Sequence, residues 1–247
     1  MVTKRQNNRK KALRKTCFVF LFLLSIPVLA LAQVPSSPRS VKAINEVRPK
    51  LESQLKEKGL AYGSPVFIRI FKESKELEVW VKKGRSFHLF KTYPICTYGL
   101  GGLGPKTKEG DWKAPEGFYS VTPERMNPVS NYHLALNVGY PNRYDRALRR
   151  TGSAIMVHGD CVSIGCFAMT DPAIEEIYAL ADGAFGNGQG SIMVHIFPFR
   201  MTSEKMKKHE KAEWKDFWQN LKQGHDIFER DRVPPPVTVK SKSYIFR

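Results

Sequence analysis

Residues 158–171, HGDCVSIGCFAMTD, decide how this chain is read. Fourteen positions hold one histidine, two cysteines, two glycines and four hydroxyl or carboxylate side chains. An apolar run, SAIMV (153–157), precedes them, and a helix-like run, AIEEIYAL (173–180), follows. The first predicts a buried strand that delivers His158. The second places Ile174, Ile177, Tyr178 and Ala181 on one helical face, with Asp171 as cap and Pro172 at the first position. A small cysteine after glycine, at the end of a buried strand, is where a nucleophile can be displayed on a tight turn.

Cysteine attacks as thiolate, and a free pKa of ~8.5 leaves little of that form at neutral pH. A nearby imidazole can take the proton and later return it to a leaving amine. Seven residues separate His158 from Cys166, so the two can meet across a short loop. Gly159 and Gly165 allow backbone turns that other residues resist. Amides of the Ser163–Ile164–Gly165–Cys166 turn, just ahead of a helix, are natural donors to a developing oxyanion. This constellation suits acyl transfer through a thioester, with Cys166 as nucleophile and His158 as base. His133 is the second candidate for the base and the first for a substrate contact. Zinc held by His158, Cys161 and Cys166 competes poorly, because no fourth ligand is evident. A structural Cys161–Cys166 disulfide would leave His158 and the glycine turn without a role, and Cys161 as nucleophile lacks the preceding glycine.

Working outward, residues 1–32 read as an export signal. Seven Lys or Arg and no acid precede an apolar run from Cys17 to Leu31, and Ala30-Leu31-Ala32 fits a cleavage site that leaves Gln33 first. The run of about 15 residues is short for a membrane span of ~20. Without this segment the charge falls from +17 to +10, from 33 basic and 23 acidic residues. A basic body favours polyanionic partners such as nucleic acid, an anionic membrane surface or a cell wall. No nucleic-acid motif accompanies it. Export removes Cys17 and leaves Cys96, Cys161 and Cys166, an odd number, so at least one thiol is free or pairs between chains. The arrangement expected is a free Cys166, with the pairing of Cys96 and Cys161 left open.

Further out, PSSPR (35–39) reads as a linker and a helix is expected near 50–58. VFIRIF (66–71), ELEVWV (76–81) and SFHLFKTYPI (86–95) predict an antiparallel meander with one face toward a core. Gly99, Gly101 and Gly104 match G-x-G-x-x-G, but Pro105 and a Lys/Gly stretch follow instead of a helix, which excludes a dinucleotide site. This loop is expected beside a site. FYSVT (118–122), HLALNV (133–138) and SIMVHIFPF (191–199) are further strands. Between them lies a polar, aromatic loop whose Tyr140 and Arg149 are candidate substrate contacts. A last helix over 203–222 is expected to stop at Gly224, with Pro234-Pro235-Pro236 opening an irregular tail.

The central motif, His158-Gly159 followed by Ser163-Ile164-Gly165-Cys166, resembles the signature of the L,D-transpeptidase (YkuD-type) catalytic domain family, and is similar to its YafK-like branch. KTYPIC, GGLGPKTKEGD, PEGFYSVTP, YHLALNVGYPN, MVHGDCVSIGCFAMTD and VHIFPFRMT carry that likeness in order over roughly residues 50–205. The resemblance implies a mainly β fold with flanking helices, a YkuD-like sandwich or barrel. It also implies a thioester mechanism on peptidoglycan stem peptides at the diaminopimelate centre, with no cofactor or metal. Ala168 departs from the pattern, standing where many members have Arg or Asn. Hydrolysis of the same bonds, releasing terminal D-Ala or a wall-linked lipoprotein, is the alternative reaction, and a non-catalytic wall-binding protein the further one. The organisation expected is a signal peptide (1–32), a linker and N-terminal helix (33–64), the catalytic domain (65–200) and a C-terminal helix and tail (201–247). The expected location is the periplasm, with membrane contact through the signal peptide only.

Overall fold

A computed structural model describes residues 1–2 and 34–247. The export segment read over 1–32 lies, apart from its first two residues, outside the described residues. The chain runs α1 (Pro38–Glu57), β1 (Val66–Phe71), β2 (Glu76–Lys83), β3 (Ser86–Pro94), β4 (Gly117–Val121), β5 (Met126–Asn127), β6 (Ala135–Asn137) and α2 (Arg143–Ala147). It continues β7 (Met156–His158), β8 (Phe167–Ala168), α3 (Asp171–Gly186), β9 (Ile192–Phe197), α4 (Ser203–Lys208), α5 (Lys215–Asp231), β10 (Val237–Lys240) and β11 (Ser243–Phe246). The architecture is mainly β with flanking helices. A five-stranded sheet has the order β3-β2-β1-β9-β4, a four-stranded sheet the order β5-β6-β7-β8, and β10-β11 form a hairpin.

The meander β1-β2-β3 forms as the alternating pattern predicts, but it does not present one face only. β1 pairs antiparallel with β2 and parallel with β9, which makes it central, and all six of its residues are buried. Even-numbered Ile68 and Ile70, with Val194 and Ile196, face an aliphatic core shared with Leu136, Val157, Phe167 and the buried faces of α1 and α3. Odd-numbered Phe67 and Phe71, with Trp80 and Phe197, face aromatic clusters completed by Trp218, Leu221 and Phe228 of α5. A strand covered on both sides has no solvent face to mark with polar residues. Arg69 is therefore buried and paired with Glu78 at 2.8 Å and with Glu229 at 2.7 Å.

Helix α1 starts well before the expected residue 50, and PSSPR is its start rather than a linker. Ser37 and Ser40 cap each other reciprocally, and Pro38 sits in the first turn, where its missing N–H costs nothing. Pro49 is tolerated inside because it and Asn45, whose carbonyl it orphans, face water. The cap of α3 is Thr170 rather than Asp171, whose carboxylate accepts from the Asp160 N–H at 2.8 Å. The expected helix over 203–222 is two helices. Gly224 does not end α5; it lies inside, where any Cβ would run into the rings of Phe118 and Phe246. The segment after the prolines is not irregular, because β10-β11 fold back and bury Tyr244 against Phe118 and Tyr144.

Candidate active site

The cysteine turn is held by the second sheet. β7 pairs parallel with β8, Val157 opposite Phe167 and His158 opposite Ala168. Of the expected strand 153–157 only Met156 and Val157 are strand, and β7 runs on to His158; Ser153 and Ala154 are exposed and Ala154 has φ of 54°. Cys166 stands immediately ahead of β8, in the turn that leads into it, two residues before the strand partner of His158. Ser163 ties the turn together: its hydroxyl donates to the Cys166 carbonyl (2.8 Å) and accepts from the Gly165 N–H (3.0 Å). The Gly165 amide, expected to serve an oxyanion, is thus already engaged. Ile164 at the tip is 74% exposed.

The half-buried Cys166 thiol accepts from the Met156 N–H at 3.4 Å and donates toward the Ala154 carbonyl at 3.6 Å. Burial raises its pKa above the ordinary value, against the Met156 N–H and the charge of Lys106, which lower it. His158 is buried beneath the Tyr132 ring, with centroids 4.6 Å apart, and burial lowers its pKa. Its Nδ1 lies 2.7 Å from the Gly159 carbonyl, which can only accept, so Nδ1 carries the proton and Nε2 keeps a lone pair. Both groups are neutral at rest. Among the described residues no hydrogen bond joins imidazole to thiol, so the contact expected across the loop is not made in this state.

A cleft of about 240 Å³ opens at Cys166, lined among others by Lys106, Trp112, Gly152, Ile155 and Ile164. Its far wall is the glycine loop 98–114, which forms no helix after Gly104, as its sequence requires. Gly99, at φ of 99°, lets that loop lie against the cysteine turn, since a Cβ there would sit 2.9 Å from the Gly165 nitrogen. The loop is fastened from behind. Fully buried Lys72 donates to the carbonyls of Gly104 (2.8 Å) and Ala114 (3.0 Å) and to Glu116 (2.8 Å). Glu116 also accepts from the Gly104 N–H (2.7 Å) and the Trp218 indole (2.7 Å). Burial pushes the Lys72 ammonium pKa down while Glu116 holds it up. Lys106 lies 2.8 Å from Asp111. Burial raises Asp111, but Lys106 and three backbone N–H donors outweigh it and bring the carboxyl to about 2.

Cys96 and Cys161 are joined in a disulfide, with Cα atoms 5.3 Å apart, and Cys166 is free. The bond removes Cys161 as a zinc ligand, and among the described residues no other cluster of His, Cys, Asp or Glu is fit to hold a metal. Gly159 is packed between His133 and Asp171, leaving no room for a Cβ. His133 stands apart from the cysteine cleft, at φ of 65°, bonded to Glu175 at 2.8 Å in a groove with Arg39 and Glu46. Tyr140 is buried, and its hydroxyl donates to the carbonyls of Thr151 (3.1 Å) and Lys106 (3.3 Å), which makes it scaffold for the cleft instead of a free substrate contact. Arg149 is exposed on the loop after α2 and does not line the cleft. Lys106, Trp112 and Tyr132 were not singled out from sequence. The position of the glycine loop hinted at the first two; nothing local signals that Tyr132 covers His158.

The L,D-transpeptidase catalytic domain family (YkuD) matches residues 65–196. The chain is 45% identical over 233 residues to the protein of Escherichia coli strain K12 named "Putative L,D-transpeptidase YafK", covering 94% of this chain and 90% of that protein. Among solved structures it is similar to the helical cell shape determining protein Pgp2 of Campylobacter jejuni, at 20% identity and a TM-score of 0.42, covering 77% of this chain and 80% of that one. It is also similar to Bd1075 of Bdellovibrio bacteriovorus, at 22% identity and a TM-score of 0.39, covering 66% of this chain and 60% of that one. The chain belongs to the L,D-transpeptidase catalytic domain family, whose members are peptidoglycan-modifying enzymes.

Proposed function

We propose that the chain is an exported enzyme that acts on peptidoglycan stem peptides through a thioester on Cys166, with His158 as base. The observation that carries this reading is a free cysteine on a glycine turn at the mouth of a cleft, two residues before Ala168, whose strand partner is a histidine with an unprotonated Nε2. Substrate entering the cleft displaces water and brings the scissile carbonyl to the thiol. Nε2 of His158 takes the thiol proton as sulfur attacks, and the charge on the carbonyl oxygen is met by the turn, where the Cys166 amide is the candidate donor. Collapse breaks the C–N bond, the histidine returns the proton to the departing amine, and a second nucleophile releases the acyl group. Because both resting groups are neutral, proton transfer belongs to the chemical step and is not completed beforehand.

The second nucleophile is an amine in transpeptidation and water in hydrolysis. Hydrolysis of the same bonds, including one that attaches a lipoprotein to the wall, is the second reading, and Ala168 bears on how the donor is held in either. This residue is fully buried between His158 and Thr97 and presents no polar group to a donor carboxylate. The exported state and a periplasmic location rest on the N-terminal sequence. Muropeptide mass spectrometry with wild type beside Cys166→Ala tests the reading. A cysteine-dependent cross-link or D-amino-acid exchange product establishes transfer. Cysteine-dependent loss of D-Ala or release of lipoprotein without cross-links establishes hydrolysis. Equal products from both proteins would end the assignment of Cys166.

A further inference from the structure

A second cleft, of about 420 Å³, lies across the 139–150 segment from the cysteine cleft. It is bordered by β4, β9, the start of α2 and the Pro235–Val237 segment, and Cys166 and His158 take no part in it. Three arginines line it, Arg125, Arg143 and Arg146, and no Asp or Glu does. Among the described residues, with 19 ion pairs between other side chains, none of these three guanidiniums has a carboxylate partner. Arg125 donates to the Ser120 carbonyl (2.9 Å), and Arg146 to the Pro141 carbonyl, so two of the three are oriented by backbone contacts. Gly139, at φ of 81°, makes the room for Arg125, because a Cβ there would collide with its guanidinium.

The inner end of this cleft adds an independent observation. His195 lines it and is 1% exposed, yet its Nδ1 has no hydrogen-bond partner. A buried polar atom left unpaired is costly and asks for a missing partner. Guanidinium groups bind oxyanions by paired N–H donors, and three of them lining one cleft without an ion-pair partner favour a ligand that carries more than one negative charge.

We propose that the Arg125–Arg143–Arg146 cleft is a second binding site, separate from the cysteine site, for a ligand bearing two or more carboxylate or phosphate oxyanions. Arg143 and Arg146 grip the anion from α2, Arg125 from the turn after β4, and His195 meets its inner end. The segment running from Gly139 to Ile155 borders this cleft with its first half and the Cys166 cleft with its second. An anionic polymer seated here is thereby held beside the cleft where the chemistry is proposed.

Isothermal titration calorimetry on the full chain decides the matter, with citrate and inorganic phosphate as separate probes at low salt. Arg143 and Arg146 are exposed, so the double variant Arg143→Ala/Arg146→Ala keeps the fold, which its melting curve checks. The expected result is one-site, saturable binding to wild type and to Cys166→Ala, weakened about tenfold or more in the arginine variant. Tighter binding of citrate traces the ligand to carboxylates, and tighter binding of phosphate to phosphoryl groups; either supports the site. Absence of saturable binding to wild type, unchanged affinity in the folded arginine variant, or loss of binding in Cys166→Ala would overturn it. Because Cys166→Ala tests catalysis and the arginine variant tests the second site, failure of one leaves the other standing.

Discussion

The two walls of the Cys166 cleft are fastened by different physics. The wall that carries Cys166 is stitched locally: the Cys96–Cys161 disulfide, the short β7-β8 ladder and the Ser163 hydroxyl all act within a few residues of the thiol. The opposite wall, residues 98–114, has almost no ladder of its own. It hangs on a buried ion pair, Lys72–Glu116, which reaches through Trp218 to α5. A covalent link restrains the chain even when it unfolds, whereas a buried ion pair acts only in the folded state and leaves a stranded charge if either partner is lost. The cysteine wall is thus locally braced, and the opposite wall depends on the packing of the whole aromatic face.

Five changes break or sharpen that contrast, in falling order of expected effect. Cys166→Ala should reduce turnover on muropeptides to background, a loss on the order of 10⁴-fold or more, with an unchanged melting curve. Lys72→Met should destabilise the fold by ~3–5 kcal/mol in denaturant titration, because Glu116 is left buried without its cation. A cost below ~1 kcal/mol would mean the ion pair does not hold the glycine loop. Cys161→Ala should cost less, ~2–4 kcal/mol for a bridge spanning 65 residues, and should make the melting temperature insensitive to reductant. If it cost more than Lys72→Met, the ranking of the two fastenings would be reversed.

The fourth change concerns acid. His195 sits among Phe67, Phe118 and Phe197. Burial, with smaller contributions from Arg69 and His225, lowers its pKa from 6.5 to about 3. The unfolded chain takes the proton first, so the stability held above pH 6.5 is lost progressively as pH falls toward about 3. His195→Phe should flatten the stability profile across that window, and an unchanged slope would put the acid sensitivity elsewhere. The smallest effect is expected at Tyr132. Removing its ring in Tyr132→Ala wets His158 and should move the acid limb of the kcat/KM profile upward, toward the ordinary histidine value. A limb that stays in place would show that Tyr132 does not shield the imidazole.

Much of the local structure around Cys166 was legible in the sequence, because its residues are neighbours in the chain. His158, Gly159, Ser163, Ile164, Gly165 and Cys166 stand within nine positions, and turn chemistry and strand pattern locate them without distant contacts. The reasons for the misses are equally physical. The sequence names the Cys96–Cys161 pair but leaves it open, because its members are 65 residues apart and no local rule fixes that separation; the structure joins them. VFIRIF shows no solvent face because α5, near the far end of the chain, covers it. Gly224 reads as a helix stop in sequence but serves as a flat place for two phenylalanine rings. Tyr140 carries the polar tip of a substrate contact, yet its hydroxyl is spent on two backbone carbonyls. In each case tertiary packing, invisible in a linear pattern, outweighed local propensity.

The central claim is that Cys166 forms the acyl-enzyme. The direct measurement is intact-protein mass spectrometry of the mature chain quenched in acid after brief incubation with a disaccharide-tetrapeptide muropeptide, beside Cys166→Ala and with peptide mapping of any adduct. The account predicts an added acyl mass on the wild-type protein, mapped to Cys166, lost on treatment with hydroxylamine and absent from the variant. Product formation by folded Cys166→Ala, or an adduct mapped to another residue, would contradict it.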